Sequence, residues 1–156
     1  MFHIHHVIVA VLVGWIPQAP ASKPDLAGEE LTRQQGTWLA VSSRRDGADA
    51  PGEIVRSITR NVEKDHVIWK RDGKNFAGTS LVLDPTQKLP ALDAIPDGGP
   101  ARGKRVLGIY KLEGDRLTIC MADPDRPRPT EFKAEKGSRQ TLMVFTRAKP
   151  AAGARP

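Results

Sequence analysis

The chain has 156 residues, a formal net charge of +6, one cysteine and four histidines. A single cysteine excludes an intramolecular disulfide, and with His3, His5 and His6 in the first six residues only His66 remains downstream, too few ligands for a common zinc cage. The charge suits weak attraction to anionic polysaccharide, lipid headgroups or nucleic acid, although a solvated basic surface is the plainer reading.

Residues 1–21 read as a secretory signal peptide. Val7 to Ile16 form an apolar run of about ten residues, followed by Pro17 and the small-residue site Ala19-Pro20-Ala21. The run stops short of the roughly 20 apolar residues that a span requires, so no membrane span is expected after cleavage. Histidines stand where lysine or arginine is usual in such a segment, and serine rather than cysteine follows the cut, which argues against a lipid anchor. Export to the periplasm, cell envelope or extracellular space is the expectation. The rest of the chain suffices for one core: a flexible leader (22–28), one domain (29–148) and a disordered tail (149–156).

Glu29 to Gln35 combine good helix formers and end at Gly36, which predicts one short N-terminal helix. Eight strands are predicted after it. Thr37 to Arg44 turns at Asp46-Gly47; Ile54 to Val62 turns at Glu63-Lys64-Asp65; His66 to Arg71 meets the hairpin signal Asp72-Gly73. Asn75 to Leu83 stops at Asp84-Pro85, and Leu89 to Ile95 carries Pro90, which suggests an edge or a bulge. Arg105 to Leu112 and Arg116 to Ala122 form the clearest hairpin, joined at Glu113-Gly114-Asp115. A proline-rich excursion, Asp123 to Arg139, precedes the last strand, Gln140 to Arg147. The fold class is therefore all-β: an antiparallel up-and-down β-barrel of about eight strands with one short N-terminal helix.

Alternation along the strands proposes interior positions. It is clean for Leu117, Ile119 and Met121, but Leu107, Ile109 and Lys111 oppose an equally mixed set, Val106, Gly108, Tyr110 and Leu112. In the last strand Leu142 and Val144 oppose Met143 and Phe145, so one apolar face must lie under the helix or the long excursion. An open barrel would line its cavity with Ile68, Leu81, Leu92, Ile109, Leu117, Ile119 and Leu142 and would hold a small apolar ligand. A barrel packed solid, acting as a structural or interaction domain at the cell envelope, is the competing expectation.

The opening Gly36-Thr37-Trp38 and the closing Phe145-Thr146-Arg147 resemble the lipocalin and calycin barrels, whose last-strand arginine covers the first-strand indole. Further motifs extend the resemblance: Leu83-Asp84-Pro85, Leu107-Gly108-Ile109-Tyr110, Leu112-Glu113-Gly114-Asp115-Arg116-Leu117, Arg128-Pro129-Thr130-Glu131-Phe132 and Gln140-Thr141-Leu142. Over Leu31 to Arg147 the chain is similar to the planctomycete-type family of uncharacterised secreted domains. Trp69 and Ser57-Ile58-Thr59-Arg60 are local departures. The resemblance implies an exported lipocalin-like barrel of unestablished role and carries over no catalytic residue. It also implies that Gly36, Trp38 and Arg147 close the barrel, the guanidinium over the indole contributing roughly 0.5 to 2 kcal/mol.

The remaining residue chemistry points away from catalysis. A Ser-His-Asp triad would have to recruit His66 beside a turn, whose plainer reading is an exposed hairpin histidine. There is no phosphate-binding glycine loop and no nucleophile elbow. Asp93 and Glu131 are the only carboxylates set apart for a glycosidase-type test, against solvent exposure or arginine pairing. Cys120 sits mid-strand and reads as a buried, inert thiol. A basic rim of Arg102, Lys104, Arg105, Arg126 and Arg128 suits an anionic envelope polymer; with no interleaved aromatics except Phe132, it does not suit nucleic acid. The sequence thus predicts a monomer that is not an enzyme and has no catalytic residue, cofactor or metal.

Overall fold

The computed structural model describes residues 25–149. The expected signal peptide (1–21), residues 22–24 of the expected leader and the expected tail after Lys149 lie outside the described residues. The chain opens with α1 (Leu26–Gln34), capped by Asp25, whose Oδ1 accepts a hydrogen bond from the Gly28 N–H at 3.0 Å. Glu29 in the first turn and Arg33 in the last complement the helix dipole. The helix thus begins before the expected Glu29 and takes in Leu26 to Gly28, because Asp25 supplies the cap. Gly36, at φ +94°, turns the chain from the helix into the first strand.

The strands follow as β1 (Gly36–Arg45), β2 (Ala48–Asp49), β3 (Ile58–Glu63), β4 (His66–Arg71), β5 (Lys74–Asp84), β6 (Ala91–Pro96), β7 (Val106–Glu113), β8 (Arg116–Ala122) and β9 (Gln140–Arg147). All pairings are antiparallel between successive strands, and β1 also pairs with β9 from Trp38↔Arg147 to Arg45↔Thr141. β1 and β3 to β9 therefore close an eight-stranded up-and-down barrel, and β2 is a short extension of β1 at Arg44↔Asp49. Closure leaves no long free edge. At Asp72-Gly73 both residues have positive φ, +49° and +75°, which suits the two-residue hairpin between β4 and β5.

One expected strand is corrected. Ile54 to Val62 splits into α2 (Gly52–Ser57) and β3, with Val55 N–H donating to Pro51 O at 3.0 Å. Pro51 and Glu53 at its start and Arg56 in its last turn favour a helical turn there, while the β-branched Ile54 and Val55 had argued for strand. Val55 is buried against the barrel core and Ile54 faces solvent. The next weak strand begins at Ala91, after Pro90, whose carbonyl accepts from Tyr110 N–H at 2.9 Å.

The barrel interior is two-layered. At the end closed by α1, Trp38, Val62, Val67, Leu83, Tyr110 and Leu117 pack with Phe145 into a continuous apolar cluster. The helix seals that end: Leu31 packs on the cluster, Gln34 is fully buried, and Tyr110 Oη donates to Glu30 Oε2 at 3.1 Å. Toward the opposite end, where β6 joins β7 and β8 joins β9, the interior side chains diverge.

Candidate ligand cavity

The divergence leaves a cavity of about 300 Å³. Its inner wall is Arg60, Leu81, Leu92, Ile119 and Phe145; Trp69, Ala94, Met121 and Met143 form the middle; and Arg45, Pro96, Val106, Asp123 and Thr141 frame the mouth. It adjoins a broader vestibule of about 870 Å³ that shares Arg45, Trp69, Thr79, Pro96, Thr141 and Met143 and adds Phe76 and Arg71. Phe76 is exposed, with the Arg71 guanidinium 5.5 Å from its ring centroid. Apolar walls with few polar groups are typical of small-molecule sites, and this volume stands at their lower end.

Backbone irregularities aim the mouth residues. A register shift between Ala40 and Ser42 leaves Val41 exposed and sets Ser43 and Arg45 opposite the inward Met143 and Thr141. Arg45 then donates to Thr141 Oγ1 at 3.0 Å and to Asp123 Oδ1 at 2.7 Å. A second shift, between Trp69 and Lys70, places Phe76 outside the pairing of Trp69 with Ala77.

Arg60 is the most unusual group in the barrel. It lies between Ile58 and Val62 on the inward face of β3, is 1% exposed, and has no carboxylate partner among the described residues. Its Nη2 donates to Gln34 Oε1 at 3.0 Å, while Arg60 Nη1 and Gln34 Nε2 are buried without a hydrogen-bond partner. Burial lowers its pKa to about 9, so it remains charged at neutral pH. In the sequence Arg60 belongs to a local departure from the family pattern, and within β3 it is a charge between the apolar Ile58 and Val62.

Of the positions expected to line a cavity, Leu81, Leu92 and Ile119 do so. Leu117 points inward but belongs to the packed layer beneath. Ile109 and Leu142 are corrections: both flank Cys120 on the opposite face of the barrel wall from the inward Tyr110, Ile119 and Met143. Ile68 is a third, lying between the core residues Val67 and Trp69 and pairing with Asn61 and Gly78. The misreading of Ile109 has a physical cause, for the excursion after β8 covers that outer face. Ile109, Cys120 and Ala134 are buried there, with Cys120 Sγ 3.1 Å from Lys133 O. Burial raises the thiol pKa and keeps it protonated.

At the closed end, the Arg147 guanidinium lies 4.1 Å from the Trp38 ring centroid. The same side chain donates to the carbonyls of Arg33 and Gln35 at 2.7 and 2.8 Å and reaches Asp115 at 3.0 Å. Trp38 is fully buried and its Nε1–H donates to Gln34 O at 2.9 Å. Gly36, Trp38 and Arg147 thus tie the end of α1 to the β1–β9 seam.

The basic positions do not form a free cationic rim. Asp93, 6% exposed on the outer wall, is flanked by Arg105 at 3.2 Å and Arg128 at 2.6 Å, and Arg128 Nη1 also donates to Gly108 O at 2.6 Å. Lys104 pairs with Asp125 at 2.7 Å. Of the five expected rim positions, Arg102 and Arg126 make no ion pair among the described residues. Glu131 is exposed and pairs with Lys133 at 3.0 Å, not with an arginine, and His66 pairs with Asp97 at 2.6 Å on the barrel exterior. Among the described residues no cluster of three or more His, Cys, Asp and Glu side chains could hold a metal ion. No helix there is long and apolar enough to cross a membrane. No protein-family model and no curated protein matches the chain.

Proposed function

We propose that this protein is an exported, non-catalytic, lipocalin-like carrier that holds one small apolar ligand in the outer half of its barrel. The observation that carries the reading is the cavity of about 300 Å³ above a solid floor, walled by Leu81, Leu92, Ile119, Met121, Met143 and Phe145. The acids at the cavity and its vestibule support a non-catalytic role: Asp123 at the mouth is engaged by Arg45, and Asp97 at the vestibule pairs with His66. Export rests on residues 1–21, and the family resemblance supports it. Pairing of Lys104, Arg105 and Arg128 with acids weighs against the anionic envelope polymer as the main partner.

The test is titration with 1-octanol and other neutral, apolar molecules of similar size, followed by calorimetry and native mass spectrometry. One-to-one binding to the wild type that is lost in Met143→Trp, where the indole fills the cavity, is expected. Absence of any binding across the series overturns the proposal.

A further inference from the structure

The carrier reading leaves one charge unexplained. A guanidinium with no counter-ion inside an apolar barrel carries a large desolvation cost, and such groups persist where something offsets it. Arg60 has two neighbours that matter. Gln34 Oε1 accepts from Nη2, but the amide's own Nε2 is also an orphan, so the pair presents unused buried donors and no unused acceptor on the guanidinium side. Arg60 itself forms part of the cavity's inner wall, beside Leu81, Leu92, Ile119 and Phe145. What is missing from this arrangement is an acceptor-only group bearing one negative charge.

We propose that the ligand is an amphiphile with a single carboxylate head, which enters head first and accepts hydrogen bonds from Arg60, its chain lying along the apolar wall. The class follows from three matches. The planar, delocalised guanidinium suits a planar carboxylate, whose oxygens only accept. One buried positive charge is neutralised by one negative charge, whereas a dianionic phosphate head would leave a net buried charge. The length follows from the volume: about 300 Å³ holds roughly ten water-sized groups, the size of an eight-carbon fatty acid. Arg45 does not compete for the head, because its guanidinium is committed to Thr141 and Asp123 at the mouth.

This inference rests on the carrier reading, and the experiment separates the two. Octanoate, 1-octanol and octylammonium are titrated into the mature protein by calorimetry. The proposal expects octanoate to bind about ten- to a hundredfold more tightly than 1-octanol, as a charge-assisted hydrogen bond implies, and octylammonium not to bind. Arg60→Met, close in length and apolar, should bring octanoate and 1-octanol to equal affinity, because the preference and not the absolute affinity reports the guanidinium. A wild-type measurement gives the same answer should that variant fail to fold: octanoate affinity falls as its carboxylate protonates in acid, relative to 1-octanol at the same pH. If neither octanoate nor 1-octanol binds, the carrier reading fails and this inference with it. If both bind equally, or the acid titration does not separate them, the carrier stands and the carboxylate assignment is overturned, with Arg60 left as a structural partner of Gln34.

Discussion

Replacement of Trp38 by alanine tests how the barrel is sealed. The indole is fully buried, touches the core cluster at the closed end, lies 4.1 Å beneath the Arg147 guanidinium and donates to Gln34 O at 2.9 Å. Removing a fully buried tryptophan costs about 3–5 kcal/mol through lost transfer energy and the residual cavity. The stacking (about 0.5–2 kcal/mol) and the hydrogen bond (about 1 kcal/mol) place the change toward the upper end of that range, because both losses accompany the truncation. A domain of this size has about 5–15 kcal/mol in total, so Trp38→Ala should lose a large share of it. Urea denaturation followed by far-ultraviolet circular dichroism measures the shift without relying on the removed fluorophore. The cycle Trp38→Leu, Arg147→Met and the double variant should give a coupling of about 0.5–2 kcal/mol. An unchanged midpoint with unchanged slope in Trp38→Ala, or zero coupling in the cycle, refutes the sealing role.

Other perturbations follow from the same packing. Gly108→Ala places a methyl 2.9 Å from Cys120 O and 3.1 Å from Leu92 O, backbone atoms that cannot step aside, and should destabilise by about 1–3 kcal/mol in a denaturant titration. Cys120 should be silent to a thiol reagent in the native protein and react promptly in denaturant, since its sulfur is buried and its pKa raised. The Asp84 carboxyl is held below its usual pKa by the Thr86 side chain, then by Gln87 and the Thr86 N–H. Its contribution to stability is therefore present above the unfolded carboxylate range, near 4, and is lost as the pH falls through the depressed folded value. Asp84→Asn should flatten the acid limb of midpoint against pH. Mass spectrometry of secreted protein should find Ser22 at its N-terminus; intact Met1 would contradict cleavage.

Much of the barrel was legible because turn chemistry punctuates it. Asp72-Gly73 and Gly114-Asp115 fix two hairpins within a residue of where they fall, and Gly36-Thr37-Trp38 marks the start of β1. The α2 segment was not legible as a helix, because Ile54 and Val55 favour strand and the turn is too short to show a period. Cavity residues were read less well. Alternation assigns a face only when one face is polar, and β7 and β9 are apolar on both, the outer one lying under the excursion that carries Lys133 and Ala134. Arg45 could not be placed at the mouth, since the register shift that turns it inward has no sequence mark such as glycine or proline. Arg60 was open to discovery by the reverse rule: a buried polar group is more informative than another buried leucine.

The central claim is that the interior is solid at the helix end and open to a ligand at the other. Methyl-resolved nuclear magnetic resonance during titration with 1-octanol tests it most directly. The account predicts saturable shifts at Met121, Met143, Leu81, Leu92 and Ile119, with Val62, Val67 and Leu117 nearly stationary. Shifts spread equally through both sets, or none in the first, would contradict it.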